Sequence, residues 1–317
     1  MGIKHLNRYI QTHCKSSIKQ IHLSELTNKK IVIDTSIYLY RYASDNTLLE
    51  NFYLMISIFR QYNIIPLFIF DGKPPKEKKD LLKKRREAKQ LAENKFNELK
   101  QSISHETSDE DKSSIINEME LLKKEFVKIN HKDIENVKEL LQAFGVSYIE
   151  AEGEADKLCA KIVSKNKAYA CLSEDMDMFV YGCNRVLRYL SLLKKSVIIY
   201  DTKSILSELK LNMDEFKSIC IVSGTDYNVD NDQANLHQTL KYFKKYKKSS
   251  SDDFYTWLES NTTYASNIYE LYNISNLFDL QSMEEYKKYE TYKISNAPIN
   301  LNNLKRVMEK EDFIFIH

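Results

Sequence analysis

Three apolar runs in this chain of 317 residues end in carboxylates: KIVID at Asp34, IIPLFIFD at Asp71, and AYACLSEDMD at Asp175 and Asp177. Two further acidic sites follow, Glu154 and Asp156 within EAEGEADKLCAKIV and Asp226 within SGTDY. A short continuous apolar run suits a strand covered on both faces, as in a parallel sheet. The ends of parallel strands lie along one edge, where such sheets gather ligands. Acids crowded at one edge repel each other, and divalent cations are the simplest compensation. Oxygen donors without His or Cys favour Mg²⁺ or Mn²⁺ over Zn²⁺. Two such ions about 3.5–4 Å apart are a general device for cleaving phosphodiesters. Taken singly, each acid is as simply a helix cap or a surface residue, because acids in a first turn complement the helix dipole. Glu154 and Asp156 are two apart and do not share a face within a helix. They reach one site only if Glu154 stands at the irregular helix start.

The elements that must position these acids form an α/β fold, with a mostly parallel central sheet flanked by helices. Strands are expected at 30–34, 64–70, 146–150, 168–172, 186–190 and 196–200. A short amphipathic helix is expected in 3–20 from Ile3, Leu6, Tyr9 and Ile10. More helix is expected around Tyr38, Tyr42, Leu49, Tyr53 and Ile56. Gly72 and Pro74-Pro75 break the chain after Asp71, and residues 73–140 are charged and free of glycine beyond Gly72. They read as helices at 77–100 and 115–141 joined by a flexible loop, SISHETSDEDKSS. Such an insertion can be a lid or arch, a surface hairpin or a coiled-coil arm. Lys78 and Arg85, seven residues apart, are expected to point the same way along the first helix. Gly145 reads as a C-terminal helix cap.

The formal net charge is only +2, yet residues 76–100 carry ten Lys or Arg against five Asp or Glu. With seven acids committed to metal, the remainder of the chain stands at +9, which suits a phosphate polymer as partner. A solvated helix face explains an isolated charge run equally well. KYFKKYKK (241–248) interleaves Lys241, Lys244 and Lys245 with Tyr242, Phe243 and Tyr246, giving a phosphate-contact patch or another solvated face. Five scattered cysteines without a C-x-x-C pair argue for a reducing compartment and against zinc or disulfides. No apolar span of membrane length and no secretory segment is present. Met1-Gly2 lacks the Ser or Thr wanted for myristoylation, since Leu6 stands there. No membrane partner is expected, and the setting is intracellular, at a nucleus or a viral DNA replication site.

The order MGIKHL, KIVIDTSIYLY, FIFDGKPP, EAEGEADKLCA, LSEDMDMFVYG and VSGTDY resembles the flap endonuclease family, the structure-specific 5′ nucleases related to XPG and exonuclease 1. The resemblance implies a PIN-like 5′ nuclease fold and a core over 1–230 with a helical arch at about 73–130. Residues 231–317 would be a helical duplex-binding and packing region of the same domain. It implies a Mg²⁺-dependent enzyme with two ions per site, Mn²⁺ substituting. The substrate would be DNA with single-strand/duplex junctions, cut in replication, repair or recombination. Asp34, Asp71 and Asp156, with Glu154 close by, would hold one ion. Asp175, Asp177 and Asp226 would hold the second, partly through water. Lys78 and Arg85 match arch residues that contact the scissile phosphate. Gly2 matches a glycine beside the site, and Tyr40 an aromatic that stacks on a base. The family's glycine-x-glycine hairpin, which binds potassium and duplex phosphates, is missing after Gly224, which puts a potassium site in question. The chain closes on EDFIFIH without a sliding-clamp motif, and a monomer is expected. The rival reading is a non-catalytic DNA-binding scaffold on a nuclease fold.

Overall fold

The computed structural model describes residues 3–102, 109–228, 235–249, 253–264, 267–281, 284–311 and 313. The chain divides into two compact units. The first holds residues 1–35, 57–75 and 146–296, and the second holds 36–56, 76–145 and 297–317. These lines differ from a division at residue 230.

The first unit is built on a sheet of seven strands among the described residues. They are β1 (Ile18–His22), β2 (Lys30–Asp34), β3 (Ile65–Phe70), β4 (Ser147–Glu150), β5 (Ala170–Leu172), β6 (Arg185–Ser191) and β7 (Ser196–Asp201). Their order is β1-β7-β6-β5-β2-β3-β4. The four pairings from β6 to β4 are parallel, and β7 is antiparallel to both its neighbours. The apolar runs of β2 and β3 are buried almost throughout, as strands covered on both faces must be. The expected mostly parallel α/β sheet is therefore present. The helix expected through residue 20 ends early. Helix α1 spans Leu6–His13, and Ile18–His22 pairs with β7 instead, with Ile18 and Ile21 half-buried and its other residues exposed.

Helix α2 (Thr35–Ser44) starts at the end of β2, and α3 (Leu48–Gln61) leads back to β3. In the second unit, α4 (Lys79–Ser102) and α5 (Asp109–Glu125) pack on each other, and α6 (His131–Ala143) packs with a later helix near the C-terminus. The single helix expected over 115–141 is thus two. Asn130 stops it, since its side chain accepts the N–H of Asp133 at 3.0 Å and Asp133 returns the bond to the Asn130 N–H at 2.9 Å. Residues 103–108, the centre of the expected flexible loop, lie outside the described residues. Gly145 caps α6 with φ +66°.

The first unit continues with α7 (Ala155–Ser164), the single turn α8 (Asp177–Val180), α9 (Thr202–Leu209) and α10 (Met213–Val222). Helices α11 (Leu236–Tyr246), α12 (Phe254–Asn261) and α13 (Ile268–Leu277) follow, and α14 (Leu301–Met308) is the partner of α6 in the second unit. One core joins Leu6 and Ile10, the buried faces of β2, β3 and β5, and α7 to Phe216, Phe243, Phe254 and Phe278. Among the described residues no helix is long and apolar enough to cross a membrane.

At the end of β3 two chain segments come unusually close. The Gly72 N–H donates to the Gly153 carbonyl at 2.7 Å and Lys73 N–H to Glu152 at 3.0 Å. A Cβ on Gly72 would lie 2.0 Å from the Ala151 carbonyl oxygen. Gly72→Ala must therefore push two backbones apart at the residue beside Asp71. A loss of about 1–3 kcal/mol is expected, the usual range for overpacking, read as a lower denaturation midpoint in urea.

Candidate metal centre

The sheet register sets the first contact. Ile33 pairs with Leu172, so the next residues, Asp34 and Ser173, leave the sheet side by side. The Ser173 hydroxyl donates to Asp34 Oδ2 at 3.0 Å and accepts the Asp175 N–H at 3.1 Å. Asp175 Oδ1 in turn accepts the Asp177 N–H at 2.9 Å. One buried serine thus ties the end of β2 to the acidic loop after β5.

The second contact joins β3 to α7. Asp71 Oδ1 accepts the backbone N–H of Ala155, the first residue of α7, at 2.7 Å. A carboxylate at a helix N-terminus meets unsatisfied N–H groups and the positive end of the dipole. Glu154 is the N-cap, extended at φ −80° and ψ 135°, and Asp156 lies in the first turn. The irregular start that lets both acids face one site is therefore present. Helix α7 packs on β2, β3 and β5, which fixes its N-terminus at the edge where those strands end.

The third contact comes from SGTDY. Gly224, at φ +100°, allows a turn that Asn228 locks: its Oδ1 accepts Thr225 N–H at 2.6 Å and the Thr225 hydroxyl at 2.7 Å. The Tyr227 hydroxyl donates to Glu154 Oε2 at 2.8 Å and lies 3.2 Å from the Tyr181 hydroxyl. Asp226 precedes Tyr227 in this turn and is half-buried.

Electrostatics report the same gathering. Burial, then Asp156, Tyr227, Glu154 and Asp177, push the Tyr181 hydroxyl well above its usual range. Cys159 rises to about 11, chiefly by burial, with Asp34 and Asp156 adding to it. Burial and then Asp177 raise Cys220. Asp34, Asp156 and Asp177 are 7%, 8% and 0% exposed, whereas Asp71 is open to solvent and Glu154, Asp175 and Asp226 are intermediate. The donors are all carboxylate oxygens, which suits a hard divalent cation. They do not close a cage. Among the described residues no three His, Cys, Asp or Glu side chains form a ready metal-ligating group. All five cysteines are buried and unpaired as disulfides, in keeping with core packing.

The remaining candidates are placed differently. Lys78 ends a 3₁₀ turn (Lys76–Lys78) and is 7% exposed, whereas Arg85 lies in the second turn of α4 and is exposed. Lys78 thus closes the 3₁₀ turn that runs directly into α4 rather than lying within one helix with Arg85. Tyr40, on α2, is 47% exposed, and Lys89 Nζ lies 4.7 Å from its ring centre. Lys241, Lys244 and Lys245 are exposed on α11, but the aromatics between them turn inward. Phe243 and Tyr246 pack on Phe254, and Tyr242 on Tyr264. They are core residues, leaving the lysines as the patch. Gly2, residues 229–234 (which bear on potassium) and most of EDFIFIH lie outside the described residues.

Sequence reading missed Ser173, Tyr181, Tyr227 and Arg188. Arg188, 5% exposed on β6, donates to the Glu174 carbonyl at 2.8 Å, to Asn7 Oδ1 at 2.6 Å and to Met176 Sδ at 2.9 Å. Its Nε lies 3.6 Å from Glu174 Oε2. The guanidinium thus grips the loop on either side of Asp175. Only Ser173 and Tyr227 carried a signal, since each adjoins a singled-out acid.

A sheet of this order, with its acids gathered where parallel strands end, defines a PIN-like nuclease fold. The comparisons name the family. The XPG N-terminal domain matches residues 1–92 and the XPG I-region residues 145–226. Flap endonuclease 1-A of Sorghum bicolor is 32% identical over 246 residues, covering 72% of this chain and 62% of the relative. The first such relatives are spanned over less than two thirds of their length, 60–63% for the first three. Flap endonuclease-1 from Methanococcus jannaschii shares the fold at TM-score 0.64 and 22% identity, over 94% of this chain and 91% of that one. The catalytic core of Rad2 in complex with DNA substrate does so at 0.62 and 19%, over 98% and 95%. The chain belongs to the flap endonuclease (XPG) family.

The two hidden supports separate in stability. Ser173→Ala removes a hydroxyl from a buried carboxylate and is expected to cost about 1.5–3 kcal/mol. Arg188→Met strips the cation from a buried pair and is expected to cost about 3–5 kcal/mol. Urea denaturation reads both, and an Arg188→Met protein as stable as the parent would refute the loop-gripping role.

Proposed function

We propose that the chain is a structure-specific 5′ flap endonuclease and 5′–3′ exonuclease, hydrolysing phosphodiester bonds of branched, nicked or gapped DNA with divalent metal ions, Mg²⁺ foremost. The observation that supports this most is the acid edge, where the buried Asp34, Asp156 and Asp177 stand with the more exposed Asp71, Glu154, Asp175 and Asp226. The kinship with flap endonuclease 1 proteins supports it independently.

When bound, two divalent ions supply an activated water and neutralise charge at the scissile phosphate. Asp34, Asp71 and Asp156, with Glu154, would hold one ion, and Asp175, Asp177 and Asp226 the other. The open spacing suits ions that keep several waters and take few direct carboxylates, the habit of Mg²⁺. Ser173 orients Asp34 and the Tyr227 hydroxyl orients Glu154, so neither carboxylate must be ordered during the reaction. Arg85 offers an exposed guanidinium to a backbone phosphate, and Lys78 a second cation. Tyr40 offers a ring face to a base. Lys241, Lys244 and Lys245 offer ammonium groups to duplex phosphates. Such contacts read backbone and shape rather than base sequence. Unpairing the terminal nucleotides costs least at a junction, which favours branched substrates.

Asp177→Asn is expected to abolish cleavage of a labelled flap while DNA binding survives. It should also shrink the rise in thermal midpoint that Mg²⁺ gives the parent, since an ion that binds only the folded chain stabilises it. Full cleavage by Asp177→Asn would remove that residue from the ligand set. Cleavage absent from the parent across a magnesium and manganese titration would favour a DNA-binding scaffold. Arg85→Ala is expected to slow single-turnover cleavage about a hundredfold, with a much smaller loss of affinity. An unchanged rate would refute its role.

A further inference from the structure

A further cleft lies in the first unit, and none of the seven candidate metal ligands lines it. Its volume is about 510 Å³, within the range of small-molecule sites. Lys161 enters it from the last turn of α7, Lys165 from the C-cap of that helix, and Lys217 from α10. Lys161 Nζ donates to the Leu280 carbonyl, and Lys217 Nζ to the Phe278 carbonyl at 3.4 Å. Lys161 and Lys217 therefore converge on one short loop, and the exposed Lys165 lines the same cleft. Asp279 lines the cleft with them, its Oδ1 engaged by the Gln281 N–H at 2.8 Å, and Asp214 of α10 also acts on Lys217. Met213 and Leu280 give the cleft an apolar lining, with the buried pair Phe278 and Tyr181, which pack at 4.7 Å between ring centres.

Cations drawn together in a partly desolvated cleft repel and lose hydration, a cost that an anion between them offsets. Lys161 carries both signs of that cost. Burial and then Lys165 lower its pKa, and burial also lowers that of Lys217. A duplex backbone spaces its phosphates along a rod, whereas these three lysines line one concavity.

We propose that this cleft binds a small phosphate monoester of mononucleotide size, its phosphate on Lys161, Lys165 and Lys217 and its apolar body against the half-buried Met213. The test needs no cleavage, so it stands or falls separately from the nuclease reading. The full-length chain is titrated calorimetrically with inorganic phosphate and with adenosine 5′-monophosphate at low salt. Saturable binding is expected for both, tighter for the nucleotide. Lys217→Met and the exposed Lys165→Ala should each weaken it about tenfold. Asp279→Asn should strengthen it, because the carboxylate that lines the cleft is gone. Thermal midpoints confirm that each variant is folded. No saturable binding of either probe, affinities unmoved by the lysine variants, or displacement of the nucleotide by plain duplex DNA would each overturn the proposal.

Discussion

Like charges must be kept side by side where water hardly reaches them. Asp34, Asp156 and Asp177 are nearly or fully buried at the carboxyl edge of one parallel sheet. Burying a carboxylate is costly unless dipoles and hydrogen bonds replace its water. The fold supplies them from fixed parts: the N-terminus of α7 beside Asp71, the Ser173 hydroxyl on Asp34, and the Tyr227 hydroxyl on Glu154. Each donor comes from an element held by the core, so the arrangement does not depend on mobile side chains.

Behind the edge stands a second layer. Arg188 is the buried cation of the acidic loop, and its contacts to the Glu174 carbonyl and Met176 Sδ bracket Asp175. Phe278 packs on both Tyr181 and Tyr227, which joins the C-terminal helices to the hydroxyl pair that reaches Glu154. The region after residue 250, polar and silent as sequence, therefore contributes a ring to the support of an acid. A packed aromatic layer resists displacement better than a hydrogen bond alone, because it has no water-exposed alternative.

The strands and their acids were legible because a buried parallel strand writes itself as an unbroken apolar run, and a charge at its end is conspicuous. KIVID, FIFDG and ACLSEDMD carry that pattern without ambiguity. The helix start at Glu154 was legible as a condition, which the N-cap geometry meets. Other features were hidden for physical reasons. The Ser173–Asp34 and Tyr227–Glu154 bonds span 139 and 73 residues, and only sheet register and loop packing bring them together. Lys78 and Arg85 read as one helical face because composition cannot show where a 3₁₀ turn gives way to α-helix. The break at Asn130 did have a signature, the reciprocal cap with Asp133. The helix-forming residues around it outweighed that signal.

Lysines in this chain fall into two energetic kinds that composition lumps together. Lys241, Lys244 and Lys245 on α11 are solvated, with their aromatic neighbours turned into the core. Their attraction for phosphate is cheap to form and is screened over about 8–10 Å at ordinary salt. Lys161 and Lys217 have given up hydration to stand near a carbonyl loop, and screening acts on them far less. The buried acids belong to this second kind as well. Rising salt should thus erode the grip on a nucleic-acid backbone first and leave the carboxylate edge and the lysine cleft largely intact. A fall in cleavage with salt would then reflect substrate lost from the surface rather than a site disassembled.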